Sequence, residues 1–455
     1  MVKTRDCCLG FFFFSFLRYI DAMRKDIVHP GADELVYEIR EIVEVANRLE
    51  KTGLPVIWEN IGDPVVKGLE VPGWIREIVS KTAQENNSYA YSPTKGLLET
   101  REYIAYERNI EGGIQITADD ILFFNGLGDA ITKIYENLHP DARIIGPNPA
   151  YPTHSSAEAA HAGKSHITYS LRPENGWEPD LEEMEQKIKE NEDVVGILII
   201  NPDNPTGYVY SQEVNKKIVE IAKKYNLFII SDEIYASLFS PESGMKKLAS
   251  VIDGVPAIAM RGISKEFPWP GARCGWIEFY NRDNDDNFNR YTKAIIDSKM
   301  LEVCSTTLPQ KVIPRVMKDE RYYPYLTKRI EKYQQRSDYA YEVFSAIPEL
   351  LVHKTQGAFY MTIVFKDGVL SCQQTLLIER EEVKGVIEPL LDGIPLDKRF
   401  VYYLLASKGI CVVPLSSGFN ASYNGFRMTL LEEDEEKFKE VVNSIAESVK
   451  EYLRS

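Results

Sequence analysis

One loop of this sequence carries both a reactive amine and a fixed cation. Ser264 and Lys265 follow an apolar run at 257–260, and Arg273 stands just past a Pro-Gly turn. A lysine amine can form a Schiff base with an aldehyde, while a guanidinium and a hydroxyl can hold a phosphate. The loop therefore suits a phosphate-bearing aldehyde, although taken alone it could equally be an ordinary loop with a solvated lysine.

Polar groups also follow two other apolar runs. In the segment 201–207, which comes after the run at 194–200, two prolines and a glycine hold Asn204 in a rigid loop. Asp232 and Tyr235 follow the run at 227–231. A carboxylate at a buried strand end needs a cation or a strong donor beside it. A protonated pyridine nitrogen would satisfy Asp232, and a helix-capping role is the alternative.

A glycine-containing segment follows a further apolar run. Gly126, Leu127 and Gly128 come after the run at 121–124 and open a helical pattern. The backbone N–H groups and the positive end of a helix favour phosphate at such a place. Many helices begin with glycine, so a plain helix start accounts for this segment at least as well.

These groups need a scaffold in which short apolar runs alternate with helical patterns. Alternating strands and helices predict a mostly parallel sheet covered by helices, and such sheets bind ligands at the carboxyl ends of their strands. The expected strands are 121–124, 143–145, 194–200, 227–231 and 257–260, and the helices between them include 181–190 and 212–225.

The chain has 455 residues, which is enough for two domains. We expect an α/β fold in which a large domain with a mostly parallel, helix-covered sheet occupies 61–320. A smaller α/β domain is expected from both chain ends, 33–60 and 321–455, with an insertion near 367–399. The remaining patterns are helices at 34–49, 74–84, 97–109, 325–347 and 433–454 and strands near 358–365 and 409–413.

The composition argues against several classes of partner. A formal net charge of -15 disfavours nucleic acid and anionic membranes. The six cysteines are scattered without a Cys-x-x-Cys pair, which fits free thiols in the cytoplasm. The six histidines lack the spacing of metal ligands, so we expect no metal.

The first 32 residues read as an N-terminal extension. Their apolar run at 7–17 is too short to span a bilayer and lacks the small-residue cleavage site of a secretory signal. We expect a docked or poorly ordered extension or an upstream misassigned start. A targeting signal and a membrane-surface anchor are the alternatives.

Three motifs in series give the sequence a family resemblance. They are Asn-Pro-Asp-Asn-Pro-Thr-Gly at 201–207, Asp-Glu-Ile-Tyr at 232–235 and a segment at 264–275 that begins Ser-Lys and ends Pro-Gly-Ala-Arg-Cys-Gly. In order and separation they resemble the class I/II pyridoxal-phosphate aminotransferases of fold type I. The resemblance extends from about residue 33 to the C-terminus.

The resemblance implies roles around pyridoxal 5'-phosphate. Lys265 would hold the cofactor and then move the proton, which requires a lowered pKa of its amine. Asp232 would pair with the pyridinium nitrogen, Tyr235 and Asn204 would hydrogen-bond the phenolic oxygen, and Tyr151 would stack on the ring. A core position is the alternative for this last tyrosine.

The same resemblance places the phosphate between Arg273, Ser264 and the backbone from Gly126 to Gly128. This cup lacks the hydroxyl residues often found there in the family, so backbone donors must do more. Tyr91 matches a tyrosine that reaches the phosphate of a partner subunit, which implies a homodimer with shared active sites. Tyr89 competes with it for that register.

Two further positions resemble the family's substrate-binding residues. Arg427 matches the arginine that grips the α-carboxylate of the substrate, although an exposed salt bridge is the alternative. The backbone of Gly62 would approach the same carboxylate, and Asn204 is also expected among the substrate-binding residues. A planar guanidinium holding a carboxylate fixes the amino acid for reaction at its Cα.

The implied function is a ping-pong aminotransferase acting on an L-amino acid and a 2-oxo acid, with 2-oxoglutarate and glutamate as one pair. A C–S lyase or related β-elimination enzyme on the same scaffold is the alternative, and a non-catalytic regulator that binds the cofactor is a remote one. The amino donor stays open, and so does the residue that reads the substrate side chain, for which Arg315, Arg321 and Arg329 are candidates.

Overall fold

The structure is a computed structural model that describes residues 28–29, 31–35 and 39–455. The apolar run at 7–17 and most of the extension at 1–32 therefore lie outside the described residues. The first long helix, expected from residue 34, begins at Ile39 after a 3₁₀ turn at Ala32–Glu34, and residues 36–38 are again outside the description.

Within the described residues the chain forms fifteen α-helices and fourteen strands. The helices are α1 Ile39–Glu50, α2 Gly73–Ala83, α3 Leu98–Ile110, α4 Leu127–Glu136, α5 Pro152–Ala162, α6 Leu181–Glu190, α7 Gln212–Tyr225, α8 Ile263–Glu266, α9 Asp286–Met300, α10 Thr307–Met317, α11 Tyr322–Ser345, α12 Glu381–Ile387, α13 Leu396–Lys408, α14 Leu415–Gly418 and α15 Glu435–Arg454. The strands are β1 Ile57–Trp58, β2 Ile121–Phe124, β3 Arg143–Asn148, β4 Thr168–Arg172, β5 Glu178–Pro179, β6 Val194–Ile200, β7 Phe228–Asp232, β8 Ala257–Gly262, β9 Gly275–Tyr280, β10 Leu350–Val352, β11 Tyr360–Phe365, β12 Ile410–Cys411, β13 Val413–Pro414 and β14 Gly425–Thr429.

The largest sheet has eight strands in the order β2-β9-β8-β7-β6-β3-β4-β5. The strands β8, β7, β6, β3 and β4 run parallel to one another, while β2, β9 and β5 pair antiparallel. Along β6, Ile197 and Ile199 belong to one apolar core, and Leu198 and Ile200 belong to a second. Successive side chains of a strand point to opposite faces, so this sheet is buried on both sides. The expected α/β class and mostly parallel sheet are confirmed.

A smaller antiparallel sheet of order β10-β11-β14-β13 forms a second layer of structure. Next to it, β1 pairs in parallel with β12 through Ile57 and Ile410. The backbone N–H of Thr429, at the end of β14, donates to the carbonyl oxygen of Glu59 at 2.9 Å. Segments that are far apart along the chain are thus joined, as expected for a small domain built from both ends.

Most expected elements are present with small shifts in their bounds. The strands at 121–124 and 194–200 and the helices at 181–190 and 212–225 coincide with β2, β6, α6 and α7. The expectations missed β9, which lies between β2 and β8. The segment 367–399 is mostly irregular but contains α12. The domain boundaries and the insertion stay predictions.

Candidate active site

A cavity of about 410 Å³ lies at the carboxyl ends of β6, β7 and β8. A volume in this range fits a small-molecule ligand. Eleven of the residues singled out in the sequence line this cavity, namely Gly62, Leu127, Gly128, Tyr151, Asn204, Asp232, Tyr235, Ser264, Lys265, Arg273 and Arg427. The three motifs therefore meet in space, at the sheet edge where α/β folds bind their ligands.

Lys265 lies on α8, the short helix that directly follows β8. Its Nζ donates a hydrogen bond to the carbonyl oxygen of Gly62 at 2.6 Å. Burial lowers the pKa of this amine to about 8, and three nearby guanidinium groups act in the same direction against the opposing carboxylate of Asp63. Near neutral pH a minority of the amine is therefore unprotonated, far more than for an ordinary lysine, and this free form is what a nucleophile or proton carrier requires.

Asp232 ends β7 and is buried together with His154. The Nε2 atom of His154 lies 3.2 Å from Asp232 Oδ2, and the backbone N–H of Ile234 donates to Asp232 Oδ1 at 3.1 Å. On its other side, His154 Nδ1 lies 3.5 Å from the hydroxyl of Tyr135. This support fixes the carboxylate so that it can hold a cationic ring nitrogen. His154 was missed as a site residue because only a tertiary contact connects it to Asp232.

Arg427 is buried on β14. Its Nη1 donates to Asn204 Oδ1 at 3.4 Å, and its Nη2 donates to the carbonyl oxygen of Asn60. The guanidinium stacks over the ring of Tyr360, with 4.5 Å between them. The hydroxyl groups of Tyr360 and Tyr235 are 2.9 Å apart. Tyr360, which the sequence did not single out, thus connects Arg427 to Tyr235.

The proposed phosphate end of the cavity combines a cation with the start of α4. Arg273 has a φ of +46°, and Gly126 has a φ of +87° and lies so near that a Cβ there would touch the guanidinium. Asp129 in the first turn of α4 would repel an anion, but the Nζ of Lys299 lies 2.8 Å from its Oδ2. With that charge balanced, the N–H groups at the start of α4 can donate hydrogen bonds to a phosphate.

These groups fit pyridoxal 5'-phosphate. The cavity offers an amine with a lowered pKa, a buried carboxylate for the ring nitrogen, an aromatic side chain and a cationic helix start. Lys265 would bind the aldehyde carbon, Asp232 the ring nitrogen and Arg273 the phosphate, with Tyr151 against the ring.

The three arginines considered for the substrate side chain lie elsewhere. Arg315 pairs with Glu85, and Arg321 pairs with Asp319 at 2.7 Å. Arg329 is buried, and its Nη1 donates to the carbonyl oxygen of Lys265 at 2.9 Å. None of the three lines the cavity within the described part of the chain.

Tyr91 lies outside the cavity and is 85% exposed, and Tyr89 beside it is also exposed. Neither of them lines the cavity, and the register between the two tyrosines stays a prediction. No described helix has the length and apolar character that a membrane crossing needs. Among the described residues, no group of three or more His, Cys, Asp or Glu is placed to hold a metal ion.

Comparison with known proteins gives consistent matches. The family model described as aminotransferase class I and II matches residues 57–445. An aminotransferase of Methanocaldococcus jannaschii is 52% identical over 433 residues, which cover 95% of this chain and 100% of that protein. The glutamate-pyruvate aminotransferase of Escherichia coli is 29% identical over 332 residues, 72% of this chain and 80% of that one. The solved structure of an alanine aminotransferase from Pyrococcus furiosus has a TM-score of 0.77 at 28% identity and covers 93% of this chain and 98% of its own.

Proposed function

The chain belongs to the class I and II aminotransferases, which depend on pyridoxal 5'-phosphate, and we propose that it pairs glutamate and 2-oxoglutarate with alanine and pyruvate. The general activity, transfer of an amino group between an amino acid and a 2-oxo acid, follows from the family. The choice of pairs is supported by the names of relatives, which are glutamate-pyruvate and alanine aminotransferases.

The cofactor, when bound, supplies an aldehyde and a ring that withdraws electrons from the substrate Cα. Lys265 would supply the amine that holds the aldehyde carbon. As a free amine it would carry the proton from the substrate Cα to that carbon. Asp232, held by His154, would keep the ring nitrogen positively charged.

Arg427 and Asn204 orient the substrate. The guanidinium of Arg427 offers a planar pair of N–H groups to the α-carboxylate, and Asn204 Oδ1 fixes the orientation of that guanidinium at 3.4 Å. A carboxylate held in this way directs the Cα–H bond toward the amine of Lys265. The buried walls around these groups reduce access of water to the reacting carbon.

The observation that carries the proposal is that Lys265, Asp232 and Arg427 line one cavity. Cofactor-loaded protein is mixed with single amino acids and no 2-oxo acid. We expect one equivalent of 2-oxo acid per site, fastest with alanine and glutamate. Lys265→Ala should abolish the product, whereas Lys164→Ala, at an exposed position, should not. Continuous release of ammonia would instead identify a β-elimination enzyme, and slow reaction with both alanine and glutamate would refute the proposed pairs.

We also propose a homodimer, in which Tyr91 reaches the phosphate of the partner subunit. The loop at 89–94 and the loop at 301–306 lie side by side, since Thr94 donates to the carbonyl oxygen of Val303 at 2.9 Å. Together with the end of α9 they expose a group of large apolar side chains, namely Tyr89, Tyr91, Met300, Leu301 and Val303. An apolar surface of this kind beside a ligand site is typical of an interface between subunits. Light scattering that gives the mass of a single chain would refute this proposal.

A cytoplasmic location is likewise our proposal. The cysteines at 274, 304, 372 and 411 are all free thiols. Free thiols are typical of proteins in a reducing compartment. Fractionation of the cells that make the protein, followed by detection with an antibody, tests this location.

A further inference from the structure

Helix α11 carries two buried arginines on one face. Arg329 and Arg336 are seven residues apart, which is about two helical turns and ~10.5 Å along the axis. Both side chains are almost completely removed from solvent. Burial of a guanidinium costs free energy unless hydrogen bonds replace its water, so the partners of each arginine reveal what it is holding.

Arg329 holds the turn that carries Lys265. Its Nη1 donates to the carbonyl oxygens of Lys265 and Glu266, each at 2.9 Å, and its Nη2 donates to the hydroxyl of Tyr333 at 3.2 Å. Helix α8 ends at Glu266, and the last carbonyl groups of a helix have no partner within that helix. Arg329 supplies this missing partner, so it fixes the end of the helix on which the amine stands.

Arg336 holds the end of the strand that carries Arg427. Its Nη1 donates to the carbonyl oxygen of Leu430 at 2.9 Å, and its Nε lies 3.4 Å from Glu435 Oε2. Leu430 directly follows β14, and Arg427 is the third residue of that strand. The guanidinium also stacks over the ring of Phe438, with 5.3 Å between them.

We infer that α11 acts as a rigid spacer whose two buried arginines, Arg329 and Arg336, set the position of Lys265 relative to Arg427. The inference rests on the proposed roles of those two cavity residues. Proton transfer needs the amine of Lys265 and the guanidinium of Arg427 at a fixed separation, because the substrate Cα must lie between them. Arg329 and Arg336 are therefore positioning residues, and neither lines the cavity.

Lysine is a poor replacement at either site. One guanidinium nitrogen of Arg329 reaches two carbonyl oxygens while the other reaches a phenol, and a lysine ammonium is a single point on a flexible stem. Arg321 offers a matched control, because it directly precedes α11 as its N-cap residue, pairs with Asp319 and has a side chain that is 53% exposed. We expect Arg321→Lys to leave kcat/KM unchanged.

The test compares Arg329→Lys, Arg336→Lys and their combination. We expect each single change to lower kcat/KM about tenfold to 100-fold, and the combination to lower it by less than the product of the two losses. Losing either end of a rigid spacer already releases the fixed separation, so the second loss adds little. Losses that multiply would show two independent anchors and overturn the inference, as would variants that behave like Arg321→Lys.

A second measurement does not depend on turnover. In the cofactor-free protein, the pH dependence of Lys265 acylation is followed by mass spectrometry. The charged groups that act on this amine are Asp63, Arg273, Arg329 and Arg427. Arg329→Met removes one cation, so the midpoint should move upward, and Arg336→Met should leave it unchanged. An equal shift in both variants, or none in either, contradicts the assignment.

These results are separate from a failure of the proposed function. Wild-type protein that gives no 2-oxo acid from any amino acid refutes the function, whatever the variants do. If Arg329→Met does not fold, Arg329→Lys keeps the charge and decides through kcat/KM. Thermal unfolding of each variant identifies those that are folded before either comparison is made.

Discussion

Replacing Lys67 by methionine tests how the segment that contacts both Lys265 and Arg427 is held in place. That segment starts at Glu59, whose side chain is 0% exposed, and Lys67, with a side chain 6% exposed, lies 2.8 Å from its Oε1. Between them, the carbonyl oxygen of Gly62 accepts from Lys265 at 2.6 Å, and that of Asn60 accepts from Arg427. The buried pair of Glu59 and Lys67 therefore closes the segment that contacts Lys265 and Arg427, and Glu432 lies 3.8 Å from the same ammonium.

The magnitude follows from burial. Removing one partner of a buried ion pair leaves an uncompensated charge, which costs about 3–5 kcal/mol of unfolding free energy. An exposed pair contributes only about 0–1 kcal/mol. Lys81 provides the control, because it lies 2.7 Å from Glu77 and the two side chains are 70% and 58% exposed. Lys67→Met should therefore destabilise the protein several times more than Lys81→Met.

The assay is urea denaturation of the cofactor-free protein, followed in parallel by tryptophan fluorescence and circular dichroism so that a non-cooperative transition is detected. Glu59→Gln combined with Lys67→Met removes both charges and should recover most of the lost stability. A loss below about 1 kcal/mol for Lys67→Met, equal to that of Lys81→Met, would refute the argument from burial. Failure of the double variant to recover stability would do so as well.

Four further outcomes follow from the site. Only the free amine is acylated, so the acylation rate at Lys265 in cofactor-free protein should rise with pH and reach half its maximum near pH 8. An ordinary lysine reaches half its maximum near pH 10.4, and a midpoint above 10 for Lys265 would contradict its low pKa. Asp232→Asn should retain the cofactor on the lysine but lower kcat by tens- to several thousand-fold, about 2–5 kcal/mol, as measured by single-turnover kinetics. Gly126→Ala should weaken cofactor binding in an absorbance titration, since the new Cβ meets Arg273 and the residue has a φ of +87°. Tyr91→Phe should change the free energy of unfolding by less than about 0.5 kcal/mol, yet speed cofactor loss from the proposed dimer on dialysis. Unaltered cofactor retention would show that this tyrosine does not belong to the site.

The strands that were predicted correctly from the sequence are the ones buried on both faces. The apolar run that became β6 has no stable place except the middle of a covered sheet, so its bounds were predictable. Strand β9 was missed because Glu278 interrupts its apolar pattern. In the fold this carboxylate accepts hydrogen bonds from Trp276 at 2.9 Å and Tyr280 at 2.7 Å, and Arg261 lies 3.5 Å away. Partners of this kind are invisible to a pattern of hydrophobicity.

The same distinction applies to the site. Lys265 and Asp232 stand in short motifs whose spacing is fixed by the strand and loop around them, so their places in the cavity could be predicted. His154 acts on a carboxylate 78 residues away, and Arg329 holds a carbonyl group 64 residues away. No local spacing rule connects such pairs. The helix that carries Arg329 was predictable, but the group that its side chain holds depends on how two distant elements pack.

Because the small sheet joins distant segments, the parts of the cavity are completed at different times while the chain is synthesised. The hydroxyl of Thr429 donates to Glu59, a residue that left the ribosome 370 positions earlier. At 5–20 residues per second, that interval is roughly 20–75 s. Throughout it, Glu59 and Lys67 are present without the strand that carries Arg427. All eight strands of the central sheet and Lys265 are made before that strand, so the cavity gains Arg427 only when β14 emerges.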